Sequence, residues 1–147
     1  MRWRFVDKVT SLEPWRRITG RKAVSLEEYY LLERTGREGV LPESLVVECC
    51  VELVRWLVAA SSSFALMSAL EEIDGFTFAR TAAIGELLRL DAEVAEKDDS
   101  IISTECQVTV NGTAIASGRL RSCLLPLGVG FEPGELEGLW RELYGPA

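Results

Sequence analysis

The chain of 147 residues contains no histidine. A zinc site would therefore have to rest on cysteine and carboxylates alone. The four cysteines (Cys49, Cys50, Cys106 and Cys123) show no metal-ligand spacing, so the sequence predicts reduced, buried thiols, with no metal and no cofactor. Long apolar runs are also missing. None reaches the roughly 18–20 residues that a bilayer span needs, and the start MRWRFVDK lacks the continuous apolar segment of a secretory signal. The expectation is a cytoplasmic protein with no membrane partner. Positive charge is in short supply, at 16 Lys and Arg against 23 Asp and Glu, a net charge of −7. That balance argues against a nucleic-acid partner, whose phosphates demand a basic footprint. No repeat, low-complexity tract or linker is present, so residues 1–147 read as one domain.

Such a domain has ample material for a core, since 48% of the residues are hydrophobic. Its charge is unevenly spread. Arg2, Arg4, Lys8, Arg16, Arg17, Arg21 and Lys22 fall within the first 22 residues against only Asp7 and Glu13, which leaves the remainder strongly acidic. A local acidic partner is compatible with that start.

RWRFVDKVTSLEP and RRITGRKAVS read as two short strands broken at Pro14 and Gly20. SLEEYYLLERTG opens with Ser25 and Glu28 at capping-box spacing and predicts a helix ended by Gly36 and Gly39. Pro42 suits a helix start, and the run to Ala60 contains neither Gly nor Pro, which predicts a long helix over 43–60. After FALMSALEEIDG, the segment from Phe76 ends as an alternating strand, with Leu88, Leu90, Ala92 and Val94 on one face. Asn111-Gly112 between two further runs predicts an antiparallel hairpin with a type I′ turn, placing Val108 opposite Ile115. Asn111-Gly112-Thr113 also spells a glycosylation sequon, but the turn is the better reading without a secretion signal. Residues 133–144 read as a short amphipathic helix carrying Leu136, Leu139, Trp140 and Leu143. The result is an α+β layout in which a sheet packs on one long helix.

The long helix poses the functional question. At 3.6 residues per turn, Ser44, Glu48, Glu52 and Arg55 share one narrow stripe on an otherwise apolar cylinder. Two readings fit. The stripe is a solvated strip in which Arg55 offsets two acids at i,i+4, or Glu48 points into a pocket where desolvation makes it a general acid or base. Periodicity does not choose between them.

Over about residues 1–125 the chain resembles the hotdog-fold 3-hydroxyacyl-acyl-carrier-protein dehydratases. Phe5-Val6-Asp7-Lys8-Val9 is similar to the family's FLLVDRV, and Leu12 to Ile18 (LEPWRRI) to its LEPG.RI. Leu41 to Glu52 (LPESLVVECCVE) resembles MPGVLILEALAQ, and Phe78 to Val94 resembles FRRPVVPGDQLRLEVEL with the prolines lost and Gly85 retained. The resemblance implies a homodimeric hotdog fold and an acyl thioester partner, on acyl carrier protein or coenzyme A, in fatty-acid or polyketide-type metabolism. It makes Glu48 the catalytic carboxylate, with Gly36, Gly39, Pro42 and Glu52 as substrate-binding positions. The family's carboxylate works with a histidine supplied across the dimer. Counting back from Pro42 puts Arg34 at that histidine's place, and Glu43 replaces the glycine after the proline. A guanidinium stays protonated and cannot serve as a base. The register instead implies an ion pair between Glu48 and Arg34 of the opposite subunit. Two functions remain open: an acyl-thioester enzyme, either a divergent dehydratase or a thioesterase in which Glu48 activates water, or a non-catalytic acyl or carrier-binding subunit.

Overall fold

The structure, a computed structural model, describes residues 5–25, 39–127 and 133–145. Strands β1 (Lys8–Glu13), β2 (Arg17–Ala23), β4 (Leu66–Phe78), β6 (Leu87–Lys97), β7 (Ile101–Val110) and β8 (Thr113–Pro126) form an antiparallel sheet in the order β1-β2-β6-β7-β8-β4. Two short strands, β3 (Val40–Leu41) and β5 (Ala82–Ala83), pair separately. Helix α1 (Glu43–Ser61) lies on the inner face of the large sheet, and α2 (Pro133–Tyr144) follows the last strand. The expected α+β arrangement of a sheet wrapped on one long helix is therefore present. The helix expected after Ser25 falls outside the described residues.

Helix α1 starts where the sequence breaks its extended run. Pro42 holds φ −55° and ψ 145°, outside helical geometry, while its carbonyl accepts the N–H groups of Leu45 and Val46. Beyond Ser61, the N–H of Phe64 donates to the carbonyl of Ala59 at 2.7 Å and Ser62 Oγ accepts the N–H of Leu66, so the chain turns directly into β4. Val46, Cys49, Cys50, Leu53, Val54, Leu57 and Val58 are buried against Ile18, Leu88, Leu90, Ala92, Val108 and Leu120 of the sheet.

That packing depends on Gly20. A Cβ built there would stand 2.8 Å from the carbonyl oxygen of Lys8 and 3.0 Å from Leu53 Cδ1. Gly20→Ala is expected to destabilise the fold by about 1–3 kcal/mol, because the nearer obstacle is backbone and cannot rotate away. Urea unfolding of the variant checks this.

The alternation predicted for β6 holds, with Leu88, Leu90 and Ala92 buried and Arg89 and Glu93 exposed. The β7–β8 hairpin turns through Asn111 (φ 50°) and Gly112 (φ 81°), as expected for a primed turn. Its register differs from the expectation in one place. Val108 pairs with Ala116, not Ile115, because a bulge sits between the pairs Thr109–Ala114 and Val108–Ala116. The extra residue brings two successive side chains into the core, Ile115 at 2% and Ala116 at 4% exposure, so the bulge buries an additional isoleucine. A further irregularity lies in β4. The strand runs on through Gly75 (φ 61°) to Phe78, and Phe76 packs so closely over Gly118 of β8 that no Cβ would fit there.

In α2, Leu143 is buried and Trp140 packs on Trp56 of α1 with ring centroids 5.8 Å apart. Cys49, Cys50 and Cys106 are buried free thiols, and Cys123 is half-buried. Hydrogen bonding with the Cys106 thiol, together with burial, pushes Cys50 well above the ordinary thiol range, which keeps it protonated and unreactive. Alkylation of the native protein, followed by peptide mass mapping, should label Cys123 before the other three.

Candidate functional site

The seam on α1 comes together as the helical period implies. Arg55 Nη1 stands 3.1 Å from Glu52 Oε2 and 3.7 Å from Glu48 Oε1, so one guanidinium serves two carboxylates. The Glu48 side chain keeps 37% of its exposure in the single chain. Desolvation of this carboxylate is therefore not a property of the chain alone, and the solvated strip describes its geometry. Exposed pairs of this kind contribute about 0.2–1 kcal/mol each.

Toward the C-terminal end of the seam the helix borders a groove of about 510 Å³. Glu52 and Arg55 stand at its polar side, and Trp56, Met67, Leu70 and Leu136 contribute apolar wall. Ser68 is the buried polar residue of that wall. One side of the groove is β4, which among the described residues pairs with β8 alone. Of the expected substrate-binding positions, Glu52 lines the groove. Gly39 and Pro42 act from outside it: Gly39 (φ 75°) accepts the N–H of Ile84 on its carbonyl, β3 pairs with β5, and Pro42 then opens α1, which fixes where Glu48 projects. Arg34 and Gly36 lie outside the described residues, and so does any pairing of Arg34 with Glu48.

The groove's apolar wall escaped sequence reading. A signal existed in Trp56, which continues the i,i+4 series of Glu48 and Glu52, but Met67, Leu70 and Leu136 come from distant segments whose meeting no local pattern announces. The basic start of the chain is largely engaged internally. Lys8 Nζ donates to the Gly145 carbonyl at 2.7 Å, Arg16 faces Glu13, Arg17 bonds Asp91 and the buried Lys22 lies 3.9 Å from Asp7. Arg2 and Arg4 lie outside the described residues. No cluster of potential metal ligands occurs among the described residues, and no helix among them is long and apolar enough to cross a membrane.

No family model matches the chain. Among curated proteins it is similar to the 3-hydroxyacyl-[acyl-carrier-protein] dehydratase FabZ of Roseiflexus sp. (strain RS-1), 29% identical over 122 residues, covering 81% of this chain and 84% of the relative. A solved structure from Streptococcus mutans UA159, bound to acetyl CoA, superposes with a TM-score of 0.64 at 13% identity over 81% of this chain and 88% of that one. Zebra fish thioesterase superfamily member 2 gives a TM-score of 0.64 at 21% identity over 80% of each chain. The chain has the hotdog fold and is similar in sequence to FabZ. In hotdog terms α1 is the wrapped central helix, and Glu48, Glu52 and Arg55 form the polar seam along it.

Proposed function

We propose that this FabZ-like hotdog protein binds and processes acyl thioesters, carried on acyl carrier protein or coenzyme A, in fatty-acid or polyketide-type metabolism, and that it works in the cytoplasm. The observation that carries the reading is the carboxylate seam of α1 running into an apolar groove: the groove suits an acyl chain, Glu52 lines it, and Glu48 stands one helical turn back along the same seam. Glu48 is the catalytic residue of this reading, and Gly36, Gly39, Pro42 and Glu52 shape the substrate's approach.

Two reactions must be separated. Dehydration of a 3-hydroxyacyl thioester needs one group to remove the α-proton and another to protonate the departing hydroxyl. With no histidine in the chain, one of those groups is missing, and each typically contributes about 10²–10⁴-fold. Dehydration is therefore expected to be absent or very slow. Hydrolysis needs less. Glu48 takes a proton from water, the hydroxide adds to the thioester carbonyl, and the tetrahedral intermediate expels the thiolate, which recovers the proton. Arg34→His restores the family's base by register and is expected to raise dehydration above the parent's rate, as read by enoyl thioester formation.

The reading also needs a homodimer. Among the described residues no strand pairs with the outer edge of β4, a strand that carries the exposed Leu70 and Ile73. A second copy along that edge would roof the groove and desolvate the seam. Light scattering is expected to give twice the chain mass; a concentration-independent monomer would remove the dimer and any site shared across it.

A second reading, favoured by the absence of histidine, is a non-catalytic subunit that binds the acyl group or its carrier. Calorimetric titration with a non-hydrolysable acyl coenzyme A analogue tests what the two readings share. Saturable binding supports both, and none at substrate-like concentrations overturns both.

A further inference from the structure

The outer face of the sheet, opposite α1, carries a charge arrangement that thioester chemistry does not use. Lys8 pairs with Arg21, and Arg21 with Arg89, so three cations occupy one row across β1, β2 and β6. Like charges directly opposite on one face, with Cβ atoms about 4.5–5.5 Å apart, repel. Two members of the row are drawn aside. Lys8 reaches the Gly145 carbonyl, and Arg89 Nε donates to Asp91 Oδ2 at 3.1 Å. Asp91 is already shared, since its other oxygen accepts from Arg17 Nη2 and Thr19 Oγ1. Among the described residues, no carboxylate lies within salt-bridge distance of Arg21. The row borders a concavity of about 650 Å³, where Arg17, Arg21 and Arg89 face a single carboxylate, Asp91, beside the hydroxyls of Thr10 and Thr109. That is an excess of positive charge in a chain whose net charge is −7.

We propose that Arg21 and Arg89 hold the phosphoryl group of a soluble phosphomonoester on this outer face. A dianion between the two guanidinium groups turns a repulsive cross-strand pair into two charge-assisted hydrogen-bonding pairs, a geometry that planar guanidinium forks favour for tetrahedral oxyanions. Thr109, opposite Arg89 on β7, offers a hydroxyl to a remaining oxygen, whereas the Thr10 hydroxyl already donates to the Thr19 carbonyl. The site lies on the sheet face away from the α1 groove and does not depend on the thioester reading.

Equilibrium dialysis of the full chain against inorganic phosphate and against glycerol phosphate, at constant ionic strength set with chloride, tests it. Saturable binding of one anion per chain is expected, weakened about tenfold or more in Arg21→Gln and in Arg89→Gln. Arg119→Gln, whose guanidinium pairs with Glu105 at 2.8 Å elsewhere on the same face, should bind as the parent does. Without phosphate, Arg21→Gln should be at least as thermostable as the parent, because the variant relieves repulsion; a well-folded variant thus remains available for the comparison. Absence of saturable binding by the parent, equal binding by parent and Arg21→Gln, or binding confined to vesicles containing phosphatidic acid would each overturn the proposal. So would an equal stabilisation of parent and variants by phosphate, which is the ordinary effect of an excluded salt.

Discussion

Glu48→Gln is expected to lower thioester turnover by about 10²–10⁴-fold with little change in KM. Glutamine has nearly the shape of glutamate, and Arg55 keeps its hydrogen bond to Glu52, but glutamine cannot take a proton from water. Because Glu48 is partly exposed and its ion pair contributes little, the variant should fold normally, so lost turnover reports chemistry rather than unfolding. Glu52→Gln should reduce turnover less. Its carboxylate is closer to Arg55 and lines the groove, so in the proposed reading it would position substrate rather than water. Steady-state kinetics on both variants check this, and parent-like kcat in Glu48→Gln would remove Glu48 from the chemistry.

Leu53→Ala is expected to cost about 2–5 kcal/mol of stability. Leu53 is fully buried, and its Cδ1 fills the space that the missing side chain of Gly20 leaves on β2. Alanine at 53 would open a cavity where helix and sheet approach closely at Gly20. Against a total stability of about 5–15 kcal/mol, that is a large fraction. The two sites should couple: Gly20→Ala combined with Leu53→Ala should be less destabilising than the sum of the single changes, since shortening residue 53 removes one of the contacts the new methyl would meet. Urea denaturation of the four proteins in the cycle measures this. Strict additivity would show that the backbone of Lys8, not Leu53, sets the limit at Gly20.

Much of the fold is legible in the sequence because its signals are local. Pro42 followed by an unbroken run to Ser61 marks α1, Asn111-Gly112 marks the hairpin, and Leu88, Leu90 and Ala92 mark the inner face of β6. The seam of Glu48, Glu52 and Arg55 follows from helical period alone, and the geometry adds that one guanidinium holds both acids. What periodicity misses is non-local. The bulge that places Ala116 rather than Ile115 opposite Val108 reflects competition for core space between neighbouring apolar residues, which a two-residue period cannot encode. The groove requires β4, α1 and α2 to meet, and the row of Lys8, Arg21 and Arg89 exists only because three strands align in one register.

The most direct measurement of thioester processing is mass spectrometry of purified protein incubated with 3-hydroxyacyl and saturated acyl thioesters of acyl carrier protein and of coenzyme A. The predicted result is release of free acid that depends on Glu48, with little or no enoyl product. Intact thioesters after prolonged incubation would contradict processing, and rapid dehydration to the enoyl product would contradict the role assigned to the missing histidine.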